Sequence, residues 1–310
     1  CRPRGHEPRR THHLQLGGYS TVAVESIGKE KAADLDGPNN FTGTYAWCDE
    51  TTIASTWNTT LAEREGRIMG CFGMFSDATG WYGPGMDVHR SPFSGRNNEY
   101  YSQDGVQGGY IAAAVVKGAE SKGLICYIKH LAFNDQETCR DGKVQFVWAS
   151  EQALRENYLK MFQMAAQEGG ASGAMTGYAR IGGIPNTSNH NLLTGILQDE
   201  WGWFGYLVTD GYIGWQDATE LDMMVRGGNS LQLYTTPFVE FLSGEWDADA
   251  NSVRIDTADG ESYISDLQYF YVRKSAQAIL HETANSTNAK NGFSGLTLQG
   301  GAFTADQFVA

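Results

Sequence analysis

Charge is scarce in this chain. Asp, Glu, Lys and Arg make up 19% of its 310 residues, where about a quarter is usual. Basic residues are the scarcer sign, 23 against 36 acidic, which leaves a formal charge of −13. Such a surface repels a phosphate backbone and an anionic bilayer, so neither nucleic acid nor a membrane is an expected partner. No apolar run approaches the ~18 residues of a membrane span. The first residues, CRPRGHEPRR, lack the apolar stretch of a signal peptide and are left out of the fold reading. Localisation is expected to be soluble, in the cytoplasm or outside the cell. Proline is rare, with 7 residues, and there is no Pro-rich linker or repeat. The cysteines are Cys1, Cys48, Cys71, Cys126 and Cys139. They are odd in number, widely spaced and without a CxxC, so neither a disulfide framework nor a structural zinc is expected. No second histidine stands at ligand spacing from His130, and no metal or cofactor is expected. Also missing are a GxGxxG that opens a helix after a strand, a P-loop, an HExxH and a GxSxG. Their absence argues against dinucleotide, nucleotide-phosphate, zinc-peptidase and serine-hydrolase chemistry.

What the chain does have is apolar mass. Hydrophobic residues are 41% and aromatics 12%, enough for a large core. The length fits about two domains or one α/β barrel. Helical and short apolar segments alternate. Thr56 is placed to cap a helix reaching about Phe75. A second helix is expected over 106–122, stopping near Gly123, and then LICYIKH (124–130) reads as a buried parallel strand with polar residues at its C-terminal end. Ser150 caps a helix to about Gln167, stopped by Gly169 and Gly170. AMTGY (174–178) and YLVTD (206–210) read as further strands, 191–198 as a helix, 230–233 as a late strand and 266–282 as the last helix. This alternation means an α/β fold. Polar residues follow several strands far apart in sequence, which favours a (β/α)8 barrel over an open sheet, incomplete or irregular in its first strands.

Three clusters could carry chemistry. HRSPFSGRNNEYYSQDG (89–105) holds Arg90, Arg96, Glu99 and Asp104 in a Pro- and Gly-rich loop; it is either a hydrogen-bonding pocket wall or a surface ion-pair loop. Lys129 and His130 end a strand and precede Asn134, Glu137 and Arg140. Neighbouring strand residues point to opposite faces, so one of the two is expected to enter the barrel mouth while the other supports it. Asp210 ends YLVTD, where a carboxylate is costly unless paired or catalytic; a helix cap or a turn before Gly211 is the plainer reading. Asp36, in LDGPNN, shares that ambiguity. Trp81, Trp201, Trp203 and Trp215 could stack on sugar rings, though large aromatics are more often core.

In order and spacing, DGP (36–38), ASTWNTTLA (54–62), GPGMDVHRSPFSGRNNEYYSQD (83–104), KHLAFNDQETCR (129–140), SEQALRENYLKMF (150–162), MTGYARIGGIPNTSN (175–189) and LLTGILQDEWGWFGYLVTD (192–210) together resemble the catalytic barrel of glycoside hydrolase family 3, the β-glucosidases. The resemblance covers about 14–295, leaving 1–13 as a tail and 296–310 as an extension. It implies a retaining β-glycosidase that removes terminal β-D-glucosyl residues through a covalent glycosyl-aspartate. Asp210 matches the nucleophile. Asp36, Arg96, Lys129 and His130 match residues that hydrogen-bond the sugar, Met175 and Tyr178 match residues lining its subsite, and Glu99 and Arg140 match supporting positions.

The pattern also departs from the family. Gly211 stands where an aromatic usually shapes the leaving-group site. The SEDP motif reads Ser102-Gln103-Asp104-Gly105, and the later aspartate-methionine motif is altered near Gly228-Asn229-Ser230-Leu231. KHLAFNDQE replaces the KHFPGHG type of the related N-acetylglucosaminidases. The ending, YVRKSAQAILHETANSTNAKNG, resembles members in which the barrel comes last. No segment matches the family's acid/base glutamate, so that carboxyl is expected on another domain or a partner chain. The alternative function is a non-catalytic sugar-binding or partner subunit derived from such a barrel.

Overall fold

The computed structural model describes residues 16–17, 20–21, 23, 25, 29–41, 44–140, 145–211, 218–233, 246–247, 252–256 and 262–286. The expected tail at 1–13, the extension at 296–310, Cys1 and Trp215 lie outside them. Eight short strands matter here: β1 (Leu16–Gly17), β2 (Ser20–Thr21), β3 (Ala32–Asp36), β4 (Gly80–Tyr82), β5 (Ile125–Leu131), β6 (Gly173–Thr176), β7 (Tyr206–Thr209) and β8 (Gln232–Leu233). The helices between and after them are α1 (Glu50–Ser55), α2 (Thr59–Phe75), α3 (Gly105–Glu120), α4 (Lys160–Gln167), α5 (Asn191–Glu200), α6 (Ala218–Gly227) and α7 (Asp266–Asn285).

Strands β3 to β7 pair parallel in strict chain order, with β2 antiparallel on the outer side of β3. A doubly wound sheet would reverse its order at a switch point; this one does not. Beyond β7 a parallel bridge joins Val208 to Leu231, and β8 pairs with β1. The result is a mixed α/β fold around a curled, half-barrel sheet whose irregularity lies in the two-residue strands at its start.

Caps and stops explain most element ends. Asp104 accepts from the amides of Val106 and Gln107 and starts α3. Ser150 accepts from Ala153 and starts a helical run that passes through a π-wound stretch, Leu154–Tyr158, into α4. Gly123 and Gly170 adopt φ of 76° and 74°, the left-handed conformation that ends a helix at least cost in glycine. Thr56 behaves differently from its expected role. It closes α1, while Asn58, whose side chain accepts from Leu61, caps α2. A hydroxyl and a carboxamide two residues apart both satisfy the capping pattern, and Trp57 at φ 53° separates the two helices.

Alternation along the strands sorts side chains into two cores. Trp81, Cys126, Ile128, Ala174 and Leu207 face the helices and pack with residues such as Met69, Phe72, Val115, Phe162 and Leu197. Tyr82, Ile125, Tyr127, Met175, Tyr206 and Val208 face the interior, where Ala276 and Ile279 of α7 join them. Each large side chain buried this way contributes about 1.5–3 kcal/mol. Trp81 and Trp203 are core residues with their indole N–H groups satisfied by the carbonyls of Gly37 and Ala171. Cys48, Cys71, Cys126 and Cys139 are free thiols. Among the described residues no helix is long and apolar enough to cross a membrane.

The inner core is partly polar. Tyr127 and Tyr82 donate to Oδ2 of Asp34 at 3.1 and 3.4 Å, and Tyr206 stacks edge-on against Tyr127. Gly80 and Gly173 flank Tyr127; a Cβ there would fall 2.5 and 2.8 Å from its ring. Burial pushes the Asp34 carboxyl up to about 7, against the Tyr82 hydrogen bond and the Lys29 charge. A carboxyl raised in the folded state favours folding below its unfolded value, and this advantage is lost as pH climbs through about 7. Asp34→Asn keeps the shape of the protonated acid. Its melting temperature relative to the parent is therefore expected to be higher at pH 8 than at pH 4; a pH-independent difference in thermal denaturation would contradict this.

Candidate active site

The chemistry-bearing residues collect at the C-terminal ends of β3, β5, β6 and β7. Asp36 closes β3, and its Oδ1 accepts from Lys129 Nζ at 2.9 Å and from the amide of Gly37 at 2.8 Å. The Lys129 side chain is 3% exposed against 49% for Asp36, so the ammonium reaches out from the wall while the carboxylate stands at the opening.

Lys129 and His130 sit at a break in the regular register of β5. Between the pairs Ile128/Ala174 and Leu131/Thr176, β5 has one more residue than β6. Such a bulge re-aims a side chain. Lys129 reaches Asp36, and the His130 ring lies among Tyr100, Asp87 and Asp210. His130 Nε2 lies 3.9 Å from Asp210 Oδ2.

Asp210 extends the β7 ladder by one residue, its amide bonding to Thr176 O at 3.1 Å. Its Oδ1 accepts from Gly211 N at 2.7 Å, the expected turn contact, and its Oδ2 accepts from Arg140. Turn chemistry and a site role therefore coexist in one carboxylate. Arg140 also donates to Glu137 at 2.9 Å and lies over the Tyr178 ring at 4.6 Å. Tyr178 in turn donates to Gly211 O. Burial opposes the Arg140 charge, but Asp210 and Glu137 outweigh it and hold the guanidinium above its ordinary range.

Arg96 completes the wall. It pairs with Glu99 and reaches Glu137 at 3.5 Å. Each sequence-derived site residue is thus linked to the next: Asp36 to Lys129, Lys129 to His130 through the chain, His130 to Asp210, Asp210 to Arg140, Arg140 to Glu137, and Glu137 to Arg96 and Glu99. Met175 lies lower, in the interior core beneath this rim. Arg90 is instead turned to Asp135.

Two residues, Asp87 and Tyr100, were given no role from the sequence. Asp87 is 2% exposed and accepts the amides of His130 and Asn134 at 2.9 and 2.8 Å. It holds the bulged end of β5 in place, and burial pushes its carboxyl up to about 7 against those two bonds. Tyr100 lies 3.2 Å from His130 Nδ1, and Asn134 Nδ2 bonds both Tyr100 Oη and Glu137 Oε1 at 2.9 Å. The sequence signal for Asp87 is a lone carboxylate in the otherwise uncharged GPGMDV. Burial pushes the His130 imidazolium well down, and the nearby charges of Arg96, Lys129 and Arg140 add to this, so the ring is neutral.

The arrangement is a carboxylate, Asp210, with donors on both oxygens, beside the Arg140 guanidinium and 3.9 Å from a neutral imidazole. It suits a polyhydroxylated ligand whose hydroxyls both donate and accept.

Comparison with known proteins points the same way. Residues 40–222 match the glycosyl hydrolase family 3 N terminal domain. Beta-glucosidase A of Butyrivibrio fibrisolvens is 35% identical over 246 residues, 73% of this chain and 29% of that protein. A beta-glucosidase of Ruminococcus albus is 32% identical over 258 residues, 79% of this chain and 26% of that protein. Among solved structures, beta-glucosidase 3B from Thermotoga neapolitana in complex with alpha-D-glucose superposes with a TM-score of 0.76 at 26% identity, covering 92% of this chain and 42% of that one. The Bifidobacterium adolescentis beta-glucosidase gives 0.80 at 25% identity, covering 97% and 41%. The chain thus spans between about a quarter and two fifths of the length of these relatives. With the family domain matched across residues 40–222 and a relative at 32% identity over 79% of this chain, the chain belongs to glycosyl hydrolase family 3.

Proposed function

We propose that this chain is the barrel portion of a retaining β-glucosidase, with residues 14–295 forming a (β/α)8-type domain. Asp210 is its nucleophile. Asp36, Arg96, Lys129 and His130 bind the glucosyl hydroxyls, Met175 and Tyr178 line the sugar's subsite, and Glu99 and Arg140 support it. The observation that carries the reading is the placement of Asp210 at the C-terminal end of β7, between Arg140 and His130. A nucleophilic carboxylate must attack an anomeric carbon while hydroxyl-binding groups hold the ring. The relatives' name, beta-glucosidase, supplies the substrate class.

The acid/base carboxyl is assigned to a further domain or a partner chain. Retaining hydrolysis needs a second carboxyl about 5–5.5 Å from the nucleophile. The carboxylates linked to the pocket rim are engaged as acceptors: Asp36 by Lys129, Glu99 by Arg96, and Glu137 by Arg140, Arg96 and Asn134. Such pairing suits anions rather than proton donors.

The test is cleavage of a dinitrophenyl β-glucoside with azide as the acceptor, followed by proton NMR of the glucosyl azide formed. The β anomer is expected; the α anomer, or binding of glucose without any turnover of activated glucosides, would contradict the reading. Arg140 offers a second check. Arg140→Lys retains a charge but not the planar fork that bridges Asp210 and Glu137 while covering Tyr178. A small displacement of the nucleophile is expected to cost about 10²-fold in kcat, and unchanged steady-state kinetics would remove Arg140 from its supporting role.

A further inference from the structure

We propose that Tyr100, itself oriented by Asn134, is a positioning residue that fixes His130 as the tautomer with its proton on Nε2, aimed at Asp210 and the bound sugar. The direction of every hydrogen in this chain follows from one group that can only accept. Glu137 Oε1 faces the terminal amide of Asn134 at 2.9 Å. An ionised carboxylate has no hydrogen to give, so the Asn134 atom facing it is the NH2 group and not the carbonyl oxygen. That same nitrogen lies 2.9 Å from Tyr100 Oη. Its second hydrogen therefore goes to the phenol oxygen, and Tyr100 receives there.

Tyr100 has one hydrogen of its own. The phenol is buried, and burial together with the field of Asp87 keeps it protonated by pushing its ionisation well above the ordinary range. With Asn134 donating to it, the side-chain acceptor left for that hydrogen among the described residues is His130 Nδ1, at 3.2 Å. Asp87 does not compete for Nδ1. Its Oδ2 stands 3.6 Å away, beyond hydrogen-bond reach, held there by the backbone amides of His130 and Asn134 that its oxygens accept.

The imidazole is neutral, because burial and three neighbouring cations oppose its charge. A neutral ring whose Nδ1 accepts carries its proton on Nε2. The hydrogen-bond sequence thus runs Glu137 ← Asn134 → Tyr100 → His130 Nδ1, and Nε2–H faces Asp210 at 3.9 Å. This gap is too long for a direct bond, so the Nε2–H is not committed to Asp210, and on the β-glucosidase reading a sugar hydroxyl would accept from it. The opposite tautomer would present a bare lone pair to the hydroxyl and to the Asp210 carboxylate. It would also leave the buried Tyr100 hydrogen without an acceptor, at a cost of about 1–3 kcal/mol.

The role as a sugar donor rests on the β-glucosidase reading; the tautomer does not, and the experiment separates the two. The full 310-residue chain is labelled with 15N in its histidine rings, and His130 is assigned by the signals lost in His130→Gln. Two-bond proton–nitrogen spectra of the unliganded protein then report a pyrrole-type or pyridine-type shift for each ring nitrogen. The expected result is pyrrole-type Nε2 and pyridine-type Nδ1. In Tyr100→Phe the two shifts are expected to converge through tautomer exchange, and kcat/KM on a nitrophenyl glucoside to fall about tenfold, the worth of one hydrogen bond to a reacting group. Pyrrole-type Nδ1 in the parent protein overturns the proposal, and so does a Tyr100→Phe spectrum identical to the parent's. If Tyr100→Phe does not fold, the parent spectrum decides alone. Loss of all glucosidase activity with the expected spectrum would count against the functional reading and leave the tautomer standing.

Discussion

Asp210→Asn is expected to lower kcat on a nitrophenyl β-glucoside by at least about 10³-fold, since loss of a covalent nucleophile costs up to about 10⁶ in well-studied hydrolases. The geometry makes this substitution informative. Asn keeps the size of the side chain, the oxygen that accepts from Gly211 N and one heavy atom toward Arg140. The charge disappears, and with it the ability to form the glycosyl ester. Asp36, Lys129, His130 and Arg96 remain in place to hold the sugar. Glucose affinity measured by calorimetry should therefore change much less than kcat. Arg140 loses its anionic partner at Asp210 but keeps Glu137 at 2.9 Å, so thermal denaturation should show a folded protein. Turnover near the parent level would remove Asp210 from the nucleophile's place and leave it a turn residue before Gly211.

The second large effect concerns the leaving group. The chain assayed by itself is expected to show a burst with a dinitrophenyl glucoside, then slow steady turnover, and negligible hydrolysis of cellobiose. A sugar alkoxide needs a proton to depart, and a positioned general acid is typically worth about 10²–10⁴-fold. Dinitrophenolate leaves without that help, so glycosylation of Asp210 proceeds. Deglycosylation is then expected to stall, since the proposed reading assigns the general base for water to a further domain or partner chain. Azide needs no base, and it should speed turnover and yield the β-glucosyl azide. Gly211 offers no aromatic surface beside the nucleophile, so contacts to the leaving sugar give little compensation. Supplying the acid/base domain of a relative, fused or as a partner, should restore cellobiose hydrolysis. Efficient cellobiose turnover by the chain alone would mean that Glu99 or Glu137 gives up its guanidinium partners to serve as the acid.

The sequence carried the order of elements well, because strand and helix signals were local. YLVTD and LICYIKH are apolar runs that turn polar at their ends, and Ser150, Gly123 and Gly170 mark starts and stops that neighbouring residues alone determine. The first and last strands were less legible, since β1, β2 and β8 are two residues each and carry no periodicity. The site was legible where a charged group ends a strand, as at Asp36, Lys129, His130 and Asp210. It was not legible where function depends on pairing across the fold. Asp87 serves the backbone of a residue 43 positions later, and nothing in GPGMDV announces that partner. Tyr100 and Asn134 read as loop residues until the fold brings them to His130. The break in register at Lys129 and His130 was not legible for a related reason: the extra residue in β5 is defined only against the register of β6.

The most direct test of the account is to incubate the chain with a 2-fluoro-glucoside bearing an activated leaving group, then map the labelled peptide by mass spectrometry. The fluorine slows release of the glycosyl-enzyme, and the good leaving group makes a general acid unnecessary. The account predicts one fluoroglucosyl adduct, on the peptide containing Tyr206–Asp210 and localised to Asp210, and no adduct in Asp210→Asn. An adduct on Asp36, Glu99 or Glu137, or turnover of activated glucosides with no covalent adduct at all, would contradict it.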